Sequence, residues 1–108
     1  MTDRELVELA AKAVGIRLHI WGTEGSENFS DIDKGKFGTR WNPLKDDGDA
    51  FRLAVQLQID VNHQRALGVV EAFWSKDAGC KREPYGSDSL AATRRAIVRA
   101  AAAIGESK

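Results

Sequence analysis

Leu6, Leu9, Ala10, Ala13 and Val14 recur at the three- and four-residue spacing of a helix with one buried face, and Arg4, Glu8 and Lys12 fall opposite. Thr2 and Glu5 have the form of a capping box, in which a hydroxyl and a carboxylate satisfy two free backbone N–H groups, so the helix starts there. Glu8 and Lys12 are correctly ordered for a pair one turn apart, and Gly15 is the natural stop.

The period then shortens to two. Leu18 and Ile20 alternate with Arg17, His19 and Trp21, which predicts a strand with one face buried. Gly22 to Gly35, rich in glycine, serine and acids, has no sustained period and reads as a long loop. Phe37, Thr39 and Trp41 alternate with Lys36, Gly38 and Arg40, a second strand expected to pair with the first across that loop.

From Asp47 to Leu57 the helical period returns. At about 100° per residue, Ala50, Phe51, Leu53, Ala54, Val55 and Leu57 cover half the circumference or more, an arc wide enough to meet more than one neighbour. Ile59 and Val61 alternate with polar positions, Asn62 to Ala66 makes a turn, and LGVVEAFW follows, so a β-hairpin is expected. In its second arm Val69 and Phe73 face one way and Val70, Ala72 and Trp74 the other, which suits a strand in mid-sheet covered on both faces.

KDAGCKREPYG breaks the pattern, and Ser87 or Asp88 then caps a last helix expected to run to Ile104 and close at Gly105. On that helix Leu90, Ile97 and Ile104 define the buried stripe, with Arg95 and Arg99 almost opposite and Arg94 nearer the apolar side. The order α-β-β-α-β-β-α predicts one α+β domain over residues 1–105, with a mainly antiparallel sheet of about four strands packed against three helices. Residues 106–108 are expected to form a frayed tail.

Composition narrows the function. The 16 basic and 16 acidic side chains cancel, leaving no overall field to draw the chain onto nucleic acid or an anionic membrane. No apolar run approaches the length of a membrane span, the acidic N-terminus does not suit a signal peptide, and the lone Cys80 fits a reducing compartment. A cytoplasmic location is the expectation.

The sequence offers four candidate chemistries. Asp46-Asp47-Gly48-Asp49 and Asp31-Ile32-Asp33-Lys34-Gly35 concentrate oxygen ligands, but neither follows the spacing of an EF-hand loop; the former reads instead as the N-cap of the second helix. His19, His63 and Cys80 lack the paired spacing of a transition-metal site. Cys80 is flanked by Lys81 and Arg82, which favour a thiolate, yet no histidine is placed beside it by the sequence. GKFGT lacks the spacing of a phosphate-binding loop. The expectation is therefore no catalytic residue, no metal and no cofactor.

Two surface features remain. Lys81, Arg82, Arg94, Arg95 and Arg99 could make a basic patch for nucleic acid, although the helical arginines read more simply as a solvated face. Trp74 is assigned to the core, whereas Trp21 and Trp41 stand at strand ends where a ring either closes the core edge or anchors an interface. Trp21, Trp41, Lys81, Arg82, Arg95 and Arg99 are the candidate interaction residues.

WNPLKDDGDAFRLAVQL, with the opening MTDRELVELAAKAVGI and the closing AATRRAIVRAAAAIG, resembles small proteins of tailed bacteriophages and prophages, and is similar to the phage ABA sandwich group. The matching blocks cover roughly half the chain. The resemblance implies a sheet between helical layers, an α/β/α sandwich, and carries no catalytic or binding residue with it. It leads to the expectation of a non-enzymatic accessory protein that binds a host or phage protein, as a modulator or anti-defence factor. A nucleic-acid-binding accessory factor is the second reading.

Overall fold

The structure, a computed structural model, describes residues 1–36, 38–74 and 79–108. Three helices and two three-stranded antiparallel sheets make an α+β fold: α1 (Asp3–Val14), β1 (Leu18–Trp21), β2 (Asn28–Asp31), β3 (Thr39–Arg40), α2 (Asp47–Leu57), β4 (Ile59–Gln64), β5 (Val69–Trp74), β6 (Gly79–Pro84) and α3 (Ser89–Glu106). The strands run β1-β2-β3 in one sheet and β4-β5-β6 in the other.

The first helix forms as its sequence dictates. The Thr2 hydroxyl accepts from the Glu5 N–H at 3.1 Å, Glu5 returns the bond to the Thr2 N–H, and Gly15 closes the helix in the left-handed conformation.

The N-terminal sheet departs from expectation. The segment read as a loop contains β2, which lies between β1 and β3 and pairs with both. Phe29 is the only apolar residue in β2, and its other inward side chain is the buried Asp31, so no apolar alternation marked it as a strand. Asp31 is satisfied there by the Asp33 N–H at 3.0 Å. The second expected strand shrinks to Thr39–Arg40 and pairs with β2 rather than β1; Phe37 lies outside the described residues.

The C-terminal hairpin is present, but β4 runs on through the expected turn to Gln64, and a single 3-10 turn over Arg65–Leu67 connects it to β5. A third strand, β6, arises from the segment read as a break in the pattern; Ser75 to Ala78 lie outside the described residues. The strand count is thus six in two sheets, not about four in one. Val70, Ala72 and Trp74 of the central β5 are buried on the face that α3 covers. On the opposite face Asp60, Asn62, Cys80 and Arg82 are exposed, so the helices pack on one face of this sheet rather than sandwiching it.

α3 is the axis of the molecule, touching α1, α2 and all three strands of the C-terminal sheet. A helix surrounded this way needs small residues on several sides, and Ala92, Ala96, Ala100, Ala101 and Ala102 are all buried. Asp88 caps it, its carboxylate accepting from the Ala91 N–H at 3.0 Å. Gly105 is not its stop: the helix continues to Glu106, Gly105 packs against α1, and Lys108 Nζ reaches the Ala13 carbonyl at 2.7 Å.

Candidate functional site

The aspartates before α2 are used for architecture. Asp46 caps the helix by accepting from the Asp49 N–H at 2.8 Å. Asp49, itself buried, accepts from the Asn42 N–H at 2.9 Å and from Arg52 at 2.7 Å. Asp47 takes Arg94 Nη1 of α3 at 2.6 Å, while Arg94 Nε donates to the Leu44 carbonyl at 2.8 Å. The start of α2 is thereby pinned to α3 through a single guanidinium. Among the described residues, no three His, Cys, Asp or Glu side chains are grouped so as to hold a metal ion.

At its other end α2 stops without glycine. Gln58 adopts the left-handed conformation, φ 55°, and its N–H bonds back to the Ala54 and Val55 carbonyls. One residue therefore converts helix into strand, and β4 begins immediately at Ile59. This tight reversal sets α2 beside β4, and together with α3 the two elements enclose an apolar groove of about 570 Å³.

Ile59 and Val61 come from β4, Ala50, Phe51, Ala54 and Val55 from α2, and Leu90 and Ile97 from α3. Asp47, Asp60, Thr93 and Arg94 supply polar groups. Four large apolar side chains stand open here: Phe51 is 68% exposed, Leu90 62%, Val55 59% and Val61 36%. The wide apolar arc of α2 was expected to meet more than one neighbour, and Leu90 was expected in the buried stripe of α3. The arc does meet α3, α1 and β4, but Leu90 is exposed rather than buried, and among the described residues nothing covers this side of α2 and the first turn of α3.

The basic residues do not assemble into one patch. Lys81 lines a depression with Arg95 and Arg99, but Arg82 alternates to the opposite face of the sheet. There Arg82 pairs with Glu71, which also accepts from Gln64 at 3.1 Å and Asn62 at 3.3 Å. These donors, the Arg82 guanidinium first, hold the Glu71 carboxyl below the ordinary glutamate range and raise Arg82 correspondingly. Arg99 bonds Glu83 at 2.6 Å and the Arg82 carbonyl at 3.1 Å, and Arg95 bonds Asp3 at 3.0 Å. The arginines expected on a solvated face instead bridge α3 to α1 and β6, each against an acid.

The tryptophans divide. Trp41 is buried, its backbone N–H donating to the Phe29 carbonyl at 3.0 Å, so it belongs to the core. Trp21 is half exposed on β1 and stacks on His19 with ring centroids 5.3 Å apart. His63 lies in β4 rather than in a turn and stacks on Tyr85. Cys80 is exposed.

Of the candidate residues, then, Trp21 stays at the surface, Trp41 does not, and Arg82, Arg95 and Arg99 are each matched by an acid. The groove was missed, and the one signal for it was an apolar arc on α2 wider than the expected neighbours could cover. Among the described residues no helix is long and apolar enough to cross a membrane. Comparison with protein-family models, with curated proteins and with solved structures finds no match to this chain.

Proposed function

We propose that this chain is a non-enzymatic accessory protein of phage or prophage origin, working in the bacterial cytoplasm by binding another protein, host or phage. The carrying observation is the groove between α2, β4 and α3, where Phe51, Val55 and Leu90 stand open beside one another. Scattered apolar residues on a surface need no explanation, but a contiguous set lining a concavity marks a place where a partner excludes water. The groove is bounded by two helices and a strand, and so requires little ordering when it is filled. The origin rests on the WNPLKDDGDA block and on the two helical blocks at the ends of the chain.

The nucleic-acid reading has less support. Arg82, Arg94, Arg95 and Arg99 are each engaged by a carboxylate of the same chain, and releasing them for phosphate would break those pairs. The test is capture by tagged protein from bacterial cells that also express the untagged chain, with Phe51→Glu as control. A protein partner retained by the parent and lost from the folded variant supports the reading. Nucleic acid as the retained species, released by moderate salt and indifferent to Phe51→Glu, would replace it.

A further inference from the structure

The C-terminal sheet has two edges, and they are treated differently. The outer edge of β6 is blunted: Lys81, Arg82 and Glu83 stud it, Pro84 ends it, and Arg99 of α3 donates to the Arg82 carbonyl. β4 has no such protection. It is six residues long, carries one charged side chain, Asp60, contains no proline, and among the described residues pairs with β5 alone. Asp60, Val61, Asn62 and His63 are all exposed, and among the described residues no backbone hydrogen bond reaches the outer side of β4. This unpaired edge borders the open groove, whose surface includes Ile59 and Val61 of the same strand.

From this pairing of a free edge with an apolar groove we infer that the partner at this site is a second copy of the chain, joined β4 to β4 in antiparallel fashion to make a six-stranded sheet. The inference rests on the protein-binding reading given above.

Strand geometry restricts the register. Backbone groups along β4 point alternately toward β5 and outward, so two copies can pair only where residues of the same parity face each other. Centring on Asp60 would set two carboxylates opposite one another, which is unfavourable. Centring on Val61 sets Val61 against Val61 on the groove side and Asp60 against the Asn62 amide on the other, acceptor with donor, and leaves Ile59 opposite His63. A twofold axis perpendicular to the sheet leaves both grooves on the same face, adjoining at Val61, and an isologous contact of this kind closes at two copies. The chain carries no net charge at neutral pH, so the copies do not repel.

Sedimentation velocity from low micromolar to near-millimolar concentration tests the pairing. The parent is expected to pass from monomer to dimer and no further, with little response to salt. Phe51→Glu, on the helix surface, and Val61→Lys, on the strand, are each expected to weaken association at least about tenfold while circular dichroism stays unchanged. The register is read by crosslinking in a Cys80→Ser background with oxidised glutathione. Val61→Cys should give a disulfide dimer, and Asp60→Cys should not, since its Cα atoms would lie more than about 7 Å apart. A parent that stays monomeric at the highest concentration overturns the inference. If that monomer still captures a different protein through Phe51, the protein-binding reading stands alone; if it captures nothing, both fall. A dimer indifferent to both Phe51→Glu and Val61→Lys also overturns it.

Discussion

Gly105 of α3 lies so close to α1 that a Cβ at this position would fall 2.1 Å from the Leu9 carbonyl oxygen. Two effects then pull in opposite directions. Glycine inside a helix is less favourable than alanine by about 1 kcal/mol, so propensity alone makes Gly105→Ala stabilising. Packing forbids it, because the obstacle is backbone and cannot rotate away. Separating α1 from α3 would loosen the contact between two helices whose Ala10, Ala13, Ala101 and Ala102 are all buried. We expect Gly105→Ala to destabilise by about 2 kcal/mol or more, the scale of an overpacked core. Thermal unfolding checks the sign: a rise in Tm would mean that the helices are not in this close contact.

Arg94 is the next constraint, and it tests how α2 is held. Its side chain is only 16% exposed, and it spans from the Leu44 carbonyl to Asp47. A guanidinium can make both bonds at once because its donors form a rigid fork; a lysine ammonium at the end of a flexible stem reproduces the charge without the fork. Arg94→Ala is expected to cost about 1–3 kcal/mol, the range for losing a hydrogen bond from a charged donor to a part-buried carbonyl. Arg94→Lys should recover only part of that loss. Urea denaturation of the three proteins gives the comparison, and full recovery by lysine would show that charge alone matters there.

Much of this architecture was legible because local chemistry and long-range packing agree. α2 starts at Asp47, as its periodicity requires, since Asp46 is both a good cap and a turn residue after Pro43. α1 is equally plain from Thr2 to Gly15. β2 was not legible: one phenylalanine and a buried aspartate do not make an alternating pattern, and the strand exists because β1 and β3 flank it. Gly105 looked like a stop because glycine usually is one after a helix; only the nearness of α1 gives it another role. The arginines of α3 were misread for a related reason. A helical wheel assumes one buried side, and α3 has neighbours on several.

Glu71 makes stability depend on pH in one direction. Its carboxyl is held below the ordinary glutamate range by Arg82, Gln64 and Asn62, and Asp33 beside Arg17 and Glu5 beside Thr2 are lowered as well. A carboxyl with a lower pKa folded than unfolded contributes its stabilisation fully above the unfolded value, about 4.3 for glutamate, and loses it as the pH falls through the folded value. Stability should therefore be level from neutral pH down to about 5 and should decline below it. In Glu71→Gln, which keeps the shape but not the charge, the acid decline should be shallower. Denaturation midpoints across that range provide the check, and an unaltered slope would remove Glu71 from the account.

Trp21 and Trp41 give the sharpest contrast between surface and core, since the sequence left both at strand ends. Trp41 is 7% exposed and sits in the same apolar cluster as Phe29 and Leu53, whereas Trp21 is 42% exposed and rests on His19. Removing a buried indole loses its transfer free energy and leaves a cavity, so Trp41→Ala should cost about 3–5 kcal/mol, and Trp41→Phe distinctly less because a ring is retained. Trp21→Ala exchanges a partly hydrated ring for water and should stay within about 0.5 kcal/mol of the parent, the range of ordinary surface changes. Acrylamide quenching adds an independent readout. The readily quenched fraction of the fluorescence should disappear in Trp21→Phe and persist in Trp41→Phe, because only the former removes the exposed indole. Equal quenching in the two variants would place Trp41 at the surface, and would contradict the packing of Phe29 beneath the N-terminal sheet.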